Sequence, residues 1–275
     1  LSSDENTFLV GDDEHGWSDK TLFNFEGGCY AKTIRLSEEQ EPLIHKACHR
    51  FGAVLENVVT NSGQVDFDNS KITENTRASY PLEFIDNVWG EPWCDHPKNI
   101  IMLTCDAYGV LPPVARLGEG KAVEQFLLGY TAKVAGTEKG ITEPEPTFSY
   151  CFGSPFMPLR PKEYADLLRS KIRKHNVKCW LVNTGWTGGP YGTGSRISIE
   201  LTRKIIRAIQ SGAFSSEHCQ YEKHLYTNFE IPVLPGHIPE KVLFPEKGWS
   251  SLEDYRASAK ELMSKFINRL KTMSL

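Results

Sequence analysis

Hydrophobic and polar positions along the chain alternate between the spacing of a strand and the spacing of a helix. Short apolar runs predict strands at 7–10, 53–60, 99–105 and 178–183. Apolar residues three and four positions apart predict helices at 37–51, 119–134, 161–175, 199–211 and 251–271. Because strands and helices interleave without long gaps, the pattern predicts an α/β domain with a mixed sheet.

Several residues mark where these elements begin and end. Ser37 and Gln40 form a capping-box pair for the helix at 37–51, which would place Leu43, Ala47 and Phe51 on one face.

Other boundaries depend on proline and glycine. Pro161 suits the first turn of a helix, and Gly212 suits a helix C-cap. Prolines are frequent after Leu225, which predicts a loop there.

An acidic pair, Asp12 and Asp13, follows the first apolar run through Gly11. Strands of nucleotide-binding sheets present carboxylates at their ends, and carboxylate oxygens suit Mg²⁺ and Mn²⁺. Because neighbouring residues of a strand point to opposite faces, we expect Asp13 to bind a metal directly and Asp12 to act through water. An acidic turn after an edge strand is the alternative. A domain rarely starts one strand before a charged loop, so we also expect sequence upstream of Leu1.

Two further segments carry cations that could meet an anion. The pair Gly27-Gly28 indicates close backbone approach to a ligand or to another strand, and Lys32 ends that segment and could face a phosphate. A tight turn explains the glycines equally well. Arg77 follows the polar run Thr73–Thr76, and its planar guanidinium can hold a carboxylate or phosphoryl group with two hydrogen bonds. A solvated surface arginine is the alternative.

Two long loops complete the pattern. Residues 129–153 are polar and contain glycines and prolines, which is typical of a mobile lid that closes on a substrate. An ordinary long connection is the alternative. Five glycines lie between the strand at 178–183 and the helix at 199–211, where backbone amides could approach a ligand. Neither G-x-x-x-x-G-K-[ST] nor G-x-G-x-x-G occurs. The residues alone therefore predict a nucleotide-type α/β protein with a metal carboxylate and without a phosphate loop.

Composition narrows the functional classes. The net charge is −4, which argues against a non-specific nucleic-acid partner, and no apolar run approaches the length of a membrane span. The odd count of 7 cysteines without a C-x-x-C pair favours free thiols in a reducing compartment, with a reactive Cys29 as the alternative. We expect a cytoplasmic protein that binds neither nucleic acid nor a membrane.

Taken together, the motifs resemble those of ATP-dependent phosphoenolpyruvate carboxykinases, in the same order. The resemblance runs from residue 7 to the C-terminus. It includes the segments 11–17, 24–32, 74–77, 109–114, 129–153 and 186–199. It implies that residues 1–275 are the C-terminal nucleotide-binding, catalytic domain of that family. The chain would begin just after the phosphate loop and lack the N-terminal domain, with 129–153 as the lid.

The resemblance also implies a reaction. Members of this family convert oxaloacetate and ATP to phosphoenolpyruvate, ADP and CO₂ in gluconeogenesis, with Mn²⁺ at the enolate and Mg²⁺ with the nucleotide. Asp13 matches the Mn²⁺-binding carboxylate of the family, and Asp12 matches its neighbour, which supports the nucleotide metal through water. Arg77 matches an arginine that contacts both the substrate and the γ-phosphate. Lys32 matches a lysine near the phosphates.

Nucleotide contacts are implied in the same way. Glu41 matches a glutamate that contacts the nucleotide, and Arg196, Ile197 and Thr202 match the residues that hold the adenine.

The family's phosphate loop, its Lys and His ligands for Mn²⁺, and its Arg and Tyr for oxaloacetate have no match in this chain. We therefore expect the chain alone to be inactive. The alternatives are a GTP-using carboxykinase, another nucleotide-dependent kinase, or a degenerate nucleotide-binding fragment without turnover. The sequence leaves the oligomeric state open.

Overall fold

The computed structural model describes residues 1–133 and 143–273, which form two compact units. The first unit is Leu1–Pro97, and the second contains Lys98–Lys133 and the described residues from Glu143 on. No helix in these ranges is both long and apolar enough to cross a membrane.

The first unit consists of short antiparallel sheets around one helix, α1 at Pro42–Cys48. Its strands are β1 His15–Trp17, β2 Leu22–Asn24, β3 Gly28–Lys32, β4 Val54–Glu56, β5 Val59–Asn61, β6 Gln64–Asp66, β7 Arg77–Pro81 and β8 Trp93–Cys94. They pair in the orders β1-β2-β8, β3-β7-β4 and β5-β6. A single 3₁₀ turn, Leu82–Phe84, follows β7 within this unit's described residues.

The sheet β3-β7-β4 buries one of its two faces. Cys29, Ala78 and Tyr80 lie in the core of the unit together with Ala47 of α1. Since successive strand residues point to opposite faces, the residues of β3 and β7 that alternate with these core residues form the other face, which is mostly polar and accessible. Gly28 allows the close strand pairing, because a Cβ there would lie 2.9 Å from the Tyr80 carbonyl oxygen.

The predicted strand at 7–10 is wrong. Only Leu9 pairs, in an isolated bridge to Val88, and the first regular strand comes after the acidic pair. The preceding polar residues explain the difference, because the Asp4 carboxylate accepts a hydrogen bond from the Asn6 backbone at 3.0 Å. The Asn87 side-chain amide also donates to carbonyl oxygens of this segment, so side-chain bonds replace a strand ladder.

The predicted helix at 37–51 is shorter in the structure. Gln40 N–H does donate to Ser37 Oγ at 3.2 Å, but the helix begins only at Pro42, whose ring disfavours a helical conformation at Glu41. It ends at Cys48, so the prediction for Phe51 is wrong and this side chain is fully exposed.

The predicted strand at 53–60 is divided into β4 and β5. Asn57 lies between them with φ 60°, in the left-handed region that interrupts a strand.

The second unit contains the larger, mixed sheet, and this confirms the predicted α/β class with a mixed sheet. Its strands are β9 Asn99–Thr104, β10 Val114–Leu117, β11 Tyr130–Lys133, β12 Glu145–Phe148, β13 Lys178–Asn183, β14 Trp186–Thr187, β15 Ser195–Arg196, β16 Gln220–Lys223 and β17 Glu230–Val233. Its helices are α2 Glu119–Leu128, α3 Pro161–His175, α4 Ile199–Gln210, α5 Glu240–Leu243, α6 Pro245–Gly248 and α7 Leu252–Thr272. The main sheet has the order β16-β17-β10-β13-β9, in which β9 and β13 are parallel and the other pairs are antiparallel.

Helices cover both faces of this sheet. Leu181 of β13 packs with Leu262 of α7 on one face, whereas Trp180 and Val182 pack with Ile205 of α4 on the other. The near-continuous apolar sequence of β13 follows from this burial on both faces.

The predicted strand at 178–183 and the predicted helix at 161–175 are confirmed with their bounds, and the strand at 99–105 within one residue. Gly212, with φ 79°, follows the end of α4 as predicted. The helix at 119–134 ends early, because Gly129 adopts φ 50° and starts the hairpin β11-β12. The loop predicted after Leu225 contains β17, so that prediction is wrong for Glu230–Val233.

Part of the predicted lid at 129–153, namely residues 134–142, lies outside the described residues. The described flanks pair as β11 and β12, with Tyr130 opposite Phe148.

A buried histidine connects β16 to α7 in the second unit. His224 Nδ1 lies 2.8 Å from Thr227 Oγ1, and His224 Nε2 lies 2.8 Å from the Tyr255 hydroxyl. Burial lowers the pKa of His224 from 6.5 to about 4, because the charged imidazolium loses its hydration there.

This shift predicts a pH-dependent stability. The unfolded chain binds a proton at His224 below pH 6.5 that the folded chain does not bind, so stability falls as the pH falls towards 4. Between about pH 7 and pH 5 the free energy of unfolding should drop by about 2 kcal/mol from this residue. Urea unfolding of the wild type and of His224→Gln measures it. His224→Gln should lose the part of the pH dependence of the unfolding free energy that comes from His224. His218→Gln, at an exposed position, should keep it. An equal slope in all three proteins would contradict the assignment.

Candidate functional site

The accessible face of β3-β7-β4 brings several predicted site residues together. Lys32 lies directly opposite Arg77 in the β3–β7 register, and Glu56 lies directly opposite Arg77 in the β4–β7 register. Residues directly opposite each other on antiparallel strands place their side chains on the same face, with Cβ atoms about 5 Å apart. We call this surface the polar face; Tyr30 and Ser79, which also lie opposite each other, belong to it.

Two cations lie side by side on the polar face. Like charges directly opposite each other on a sheet repel, so an anion bound by both would relieve their repulsion. The half-buried Lys32 and Arg77 therefore form a place where a carboxylate or phosphoryl group would be stabilised. The structure thus brings together the two cations that the sequence analysis selected separately.

The Arg77 guanidinium is oriented by its neighbours. Its Nε donates to Asn75 Oδ1 at 3.0 Å, and its Cζ lies 5.5 Å from the centre of the Tyr30 ring. With Nε occupied, the two terminal nitrogens provide the forked pair of donors that binds an oxyanion. The Tyr30 hydroxyl in turn donates to Glu56.

The acidic pair divides between two environments. Asp12 Oδ2 accepts a hydrogen bond from the Tyr30 backbone N–H at 3.1 Å, which attaches this carboxylate to β3. Asp13 is exposed, and its backbone carbonyl lies 2.8 Å from His15 Nδ1. The pair therefore does not end a strand; Asp12 is positioned by the first residues of the polar face instead.

Within the described ranges, no group of three or more His, Cys, Asp or Glu side chains could hold a metal ion. Carboxylate oxygens such as those of Asp12 and Asp13 have the right chemistry for a hard divalent cation. The described residues fit part of such a shell and do not complete one.

Glu41 lies at the N-terminal end of α1, outside the strands that form the polar face. Its backbone carbonyl accepts the first hydrogen bond of the helix, from His45 N–H at 2.9 Å.

The three residues matched to adenine lie together in the second unit. Arg196 of β15 is exposed and lies opposite Trp186, with its Cζ 5.5 Å from that ring. Ile197 is buried, and the Thr202 hydroxyl donates to the Ser198 carbonyl at 3.0 Å at the N-terminal end of α4. Arg196 therefore offers a guanidinium plane to a ligand, whereas Ile197 and Thr202 are turned towards the protein interior.

A buried carboxylate that the sequence analysis missed organises the loops of the second unit. Asp106, in the turn that follows β9, accepts hydrogen bonds from the backbone of Tyr108, Val110 and Leu111 at 2.9, 2.7 and 2.8 Å and from the Tyr130 hydroxyl at 2.7 Å. Complete burial raises the pKa of the Asp106 carboxyl, while these donors oppose the rise.

The glycine-rich loop is attached to the same turn. Asn183 Oδ1 accepts from the backbone N–H groups of Asp106 and Gly185 at 3.0 and 2.8 Å. A Cβ at Gly185 would lie 2.2 Å from the Asp106 nitrogen, and one at Gly109 would lie 2.1 Å from the Gly189 oxygen. The glycines thus serve close backbone packing between two loops.

A sequence signal for Asp106 did exist. The mostly apolar run 99–104 is followed at once by Cys105 and Asp106, the same arrangement of strand and aspartate that the sequence predicts at 7–13. The longer and more continuous run marks the true buried strand.

The cysteines behave as expected for free thiols, and every one is unpaired in the structure. Burial, followed by the nearby Asp12 charge, raises the pKa of Cys29 to about 12. A reactive thiolate at Cys29 is therefore disfavoured.

Comparisons with known proteins agree with these motifs. A family model described as phosphoenolpyruvate carboxykinase matches residues 1–241. Proteins named phosphoenolpyruvate carboxykinase (ATP) from Sinorhizobium fredii and Rhizobium johnstonii are 53% and 54% identical over 268 and 270 residues, each match covering 97% of this chain and 50% of the relative. The protein of that name from Cereibacter sphaeroides is 51% identical over 270 residues, covering 98% of this chain and 50% of the relative.

The chain therefore spans about half the length of the curated relatives it matches. The family match covers most of the chain and includes the polar face, the acidic pair and the glycine-rich loop. The chain belongs to the ATP-dependent phosphoenolpyruvate carboxykinase family.

Proposed function

We propose that this chain is the nucleotide-binding, catalytic part of an ATP-dependent carboxy-lyase that converts oxaloacetate and ATP to phosphoenolpyruvate, ADP and CO₂. The observation that carries the proposal is the pairing of Lys32 with Arg77 across β3 and β7. Every reactant and product of this reaction except neutral CO₂ is an anion, so adjacent cations match its main physical demand.

The chemistry needs charge stabilisation at two places. Loss of CO₂ leaves an enolate, whose oxygen then attacks the γ-phosphorus of ATP while the bond to ADP breaks. Arg77 would bind the carboxylate of the substrate and the transferring phosphoryl group through its two terminal nitrogens, and Lys32 would offset further phosphate charge. Asn75 and Tyr30 would keep the guanidinium in place, which aligns the two reactants.

The proposed nucleotide contacts follow from the family resemblance. In the second unit we propose a mononucleotide-binding fold of the phosphoenolpyruvate carboxykinase type, with Arg196 stacked on the adenine and Ile197 and Thr202 supporting that contact from within. Glu41 is proposed as a further nucleotide contact. Residues 129–153 are the proposed lid, and the paired flanks β11 and β12 would be its base.

Divalent cations are part of the proposal. Mg²⁺ and Mn²⁺ would supply Lewis-acid stabilisation of phosphate and enolate oxygens. Asp13, which is exposed and follows Asp12 in the chain, is the proposed direct ligand for Mn²⁺, and Asp12 would act on the nucleotide metal through water. The free thiols support the cytoplasm as the location, since thiols persist in reducing compartments.

We expect enzymatic activity to require residues from the half of the relatives that the match to this chain does not cover. We expect no phosphoenolpyruvate formation by the 275-residue chain alone. Turnover should appear when the uncovered half of the Sinorhizobium fredii relative is joined to Leu1, a fusion called here the complemented enzyme. Coupled assays with ATP and with GTP measure both proteins. Turnover by the 275-residue chain alone would contradict the proposal that catalysis needs residues outside this chain. ATP binding without any turnover in the complemented enzyme would favour a degenerate nucleotide-binding protein.

Arg77→Ala should lower kcat of the complemented enzyme by about 100-fold or more, because the lost contacts strengthen as charge moves in the transition state. Steady-state kinetics measure the change. Arg50→Ala is the matched control, since Arg50 donates to backbone carbonyls of Glu83 and Phe84 away from the polar face. A kcat within threefold of the wild type in Arg77→Ala would make Arg77 an ordinary surface residue.

Asp13→Asn should weaken Mn²⁺ binding to the complemented enzyme by at least tenfold, because the amide keeps the shape but removes the charge that binds the cation. Electron paramagnetic resonance measures free Mn²⁺ directly and needs no turnover. Asp12→Asn should have a smaller effect on Mn²⁺ affinity, and Asp68→Asn, at an exposed residue that follows β6, should have none. A larger loss in Asp12→Asn than in Asp13→Asn would reverse the two assignments.

A further inference from the structure

Glu56 and Arg77 are placed for an ion pair that does not form. They lie directly opposite each other on β4 and β7, the position in which opposite charges normally attract. Among the residues the structure describes, no salt bridge joins them. Arg77 Nε instead donates to Asn75, and the Glu56 carboxylate accepts from the Tyr30 hydroxyl.

Tyr30 contacts both charged side chains, Arg77 and Glu56, and also Asp12. Its ring lies beside the Arg77 guanidinium, its hydroxyl bonds Glu56, and its backbone N–H holds Asp12. The hydrogen bond to Glu56 is the main cause of a raised pKa of the Tyr30 phenol, so the phenol stays protonated and remains a donor at neutral pH.

We propose that Tyr30 is a positioning residue that holds the Glu56 carboxylate away from Arg77, so that the guanidinium stays available to an anionic substrate group. The inference rests on the proposed function for the identity of that anion, a carboxylate or a phosphoryl group. Without the Tyr30 hydroxyl, Glu56 is the nearest carboxylate in the sheet register and competes with the substrate for the same donors.

The strength of an ion pair between Glu56 and Arg77 limits how far Glu56 can compete with the substrate. Exposed ion pairs are worth at most about 1 kcal/mol, which corresponds to a change of about fivefold in the fraction of free Arg77. Removing the hydroxyl should therefore cause an effect of about three- to fivefold, well below the effect of removing Arg77 itself.

Chemical labelling of the 275-residue chain tests the inference without requiring turnover. Phenylglyoxal reacts with free guanidinium groups, and peptide mass spectrometry gives the rate at Arg77 alone. Tyr30→Phe keeps the ring and should slow labelling of Arg77 about threefold. Tyr30→Phe combined with Glu56→Gln should restore the wild-type rate, because no carboxylate remains to compete. Arg50, on another part of the unit, should react at the same rate in all proteins.

The double variant separates positioning from damage to the fold. Glu56→Gln alone leaves Tyr30 intact and should not slow the labelling of Arg77. An unchanged rate in Tyr30→Phe, or a slow rate that Glu56→Gln does not restore, would overturn the inference. In the complemented enzyme, Tyr30→Phe should raise KM for oxaloacetate, and adding Glu56→Gln should restore it. Failure of turnover there would count against the proposed function and leave the labelling result to decide the role of Tyr30.

Discussion

The register between β3 and β7 is the constraint on which the candidate site depends. It buries Cys29, Ala78 and Tyr80 on one face and sets Lys32 opposite Arg77 on the other. A slip of one residue would exchange the two faces, which would expose the apolar core and bury two cations. The hydrophobic burial that stabilises the sheet therefore also fixes the two charges side by side, so that folding and the proposed chemistry share one physical cause.

In the second unit, one buried carboxylate fixes the positions of the loops. Asp106 accepts hydrogen bonds from the backbone of the turn after β9 and from the Tyr130 hydroxyl at the start of the hairpin β11-β12. Asn183 attaches the glycine-rich loop to the same turn. A buried carboxylate is costly unless donors surround it. Here the donors come from the turn after β9 and from Tyr130, so the positions of these two segments are coupled. The loop that leads to Arg196 is thus built on a rigid base.

The sequence predicted buried and well-capped elements best. The strand 178–183 and the helix Pro161–His175 carry long apolar patterns, and Pro161 marks the first turn of that helix. Short runs failed where side-chain hydrogen bonds or proline outweighed periodicity, as at 7–10 and before Pro42. The site cations were selected from their chemistry and the family resemblance. Their pairing, and the contacts of Tyr30 and Asp106, depend on long-range register that one sequence does not reveal.

The central claim is that the two cations on the polar face bind the anion of the substrate. Nuclear magnetic resonance of arginine Nε groups, recorded while phosphoenolpyruvate is added to the 275-residue chain, tests it most directly. The account predicts that the Arg77 signal moves and saturates, while Arg116, paired with Glu230 in the second unit, stays in place. A stationary Arg77 signal, or equal movement of both signals, would contradict it.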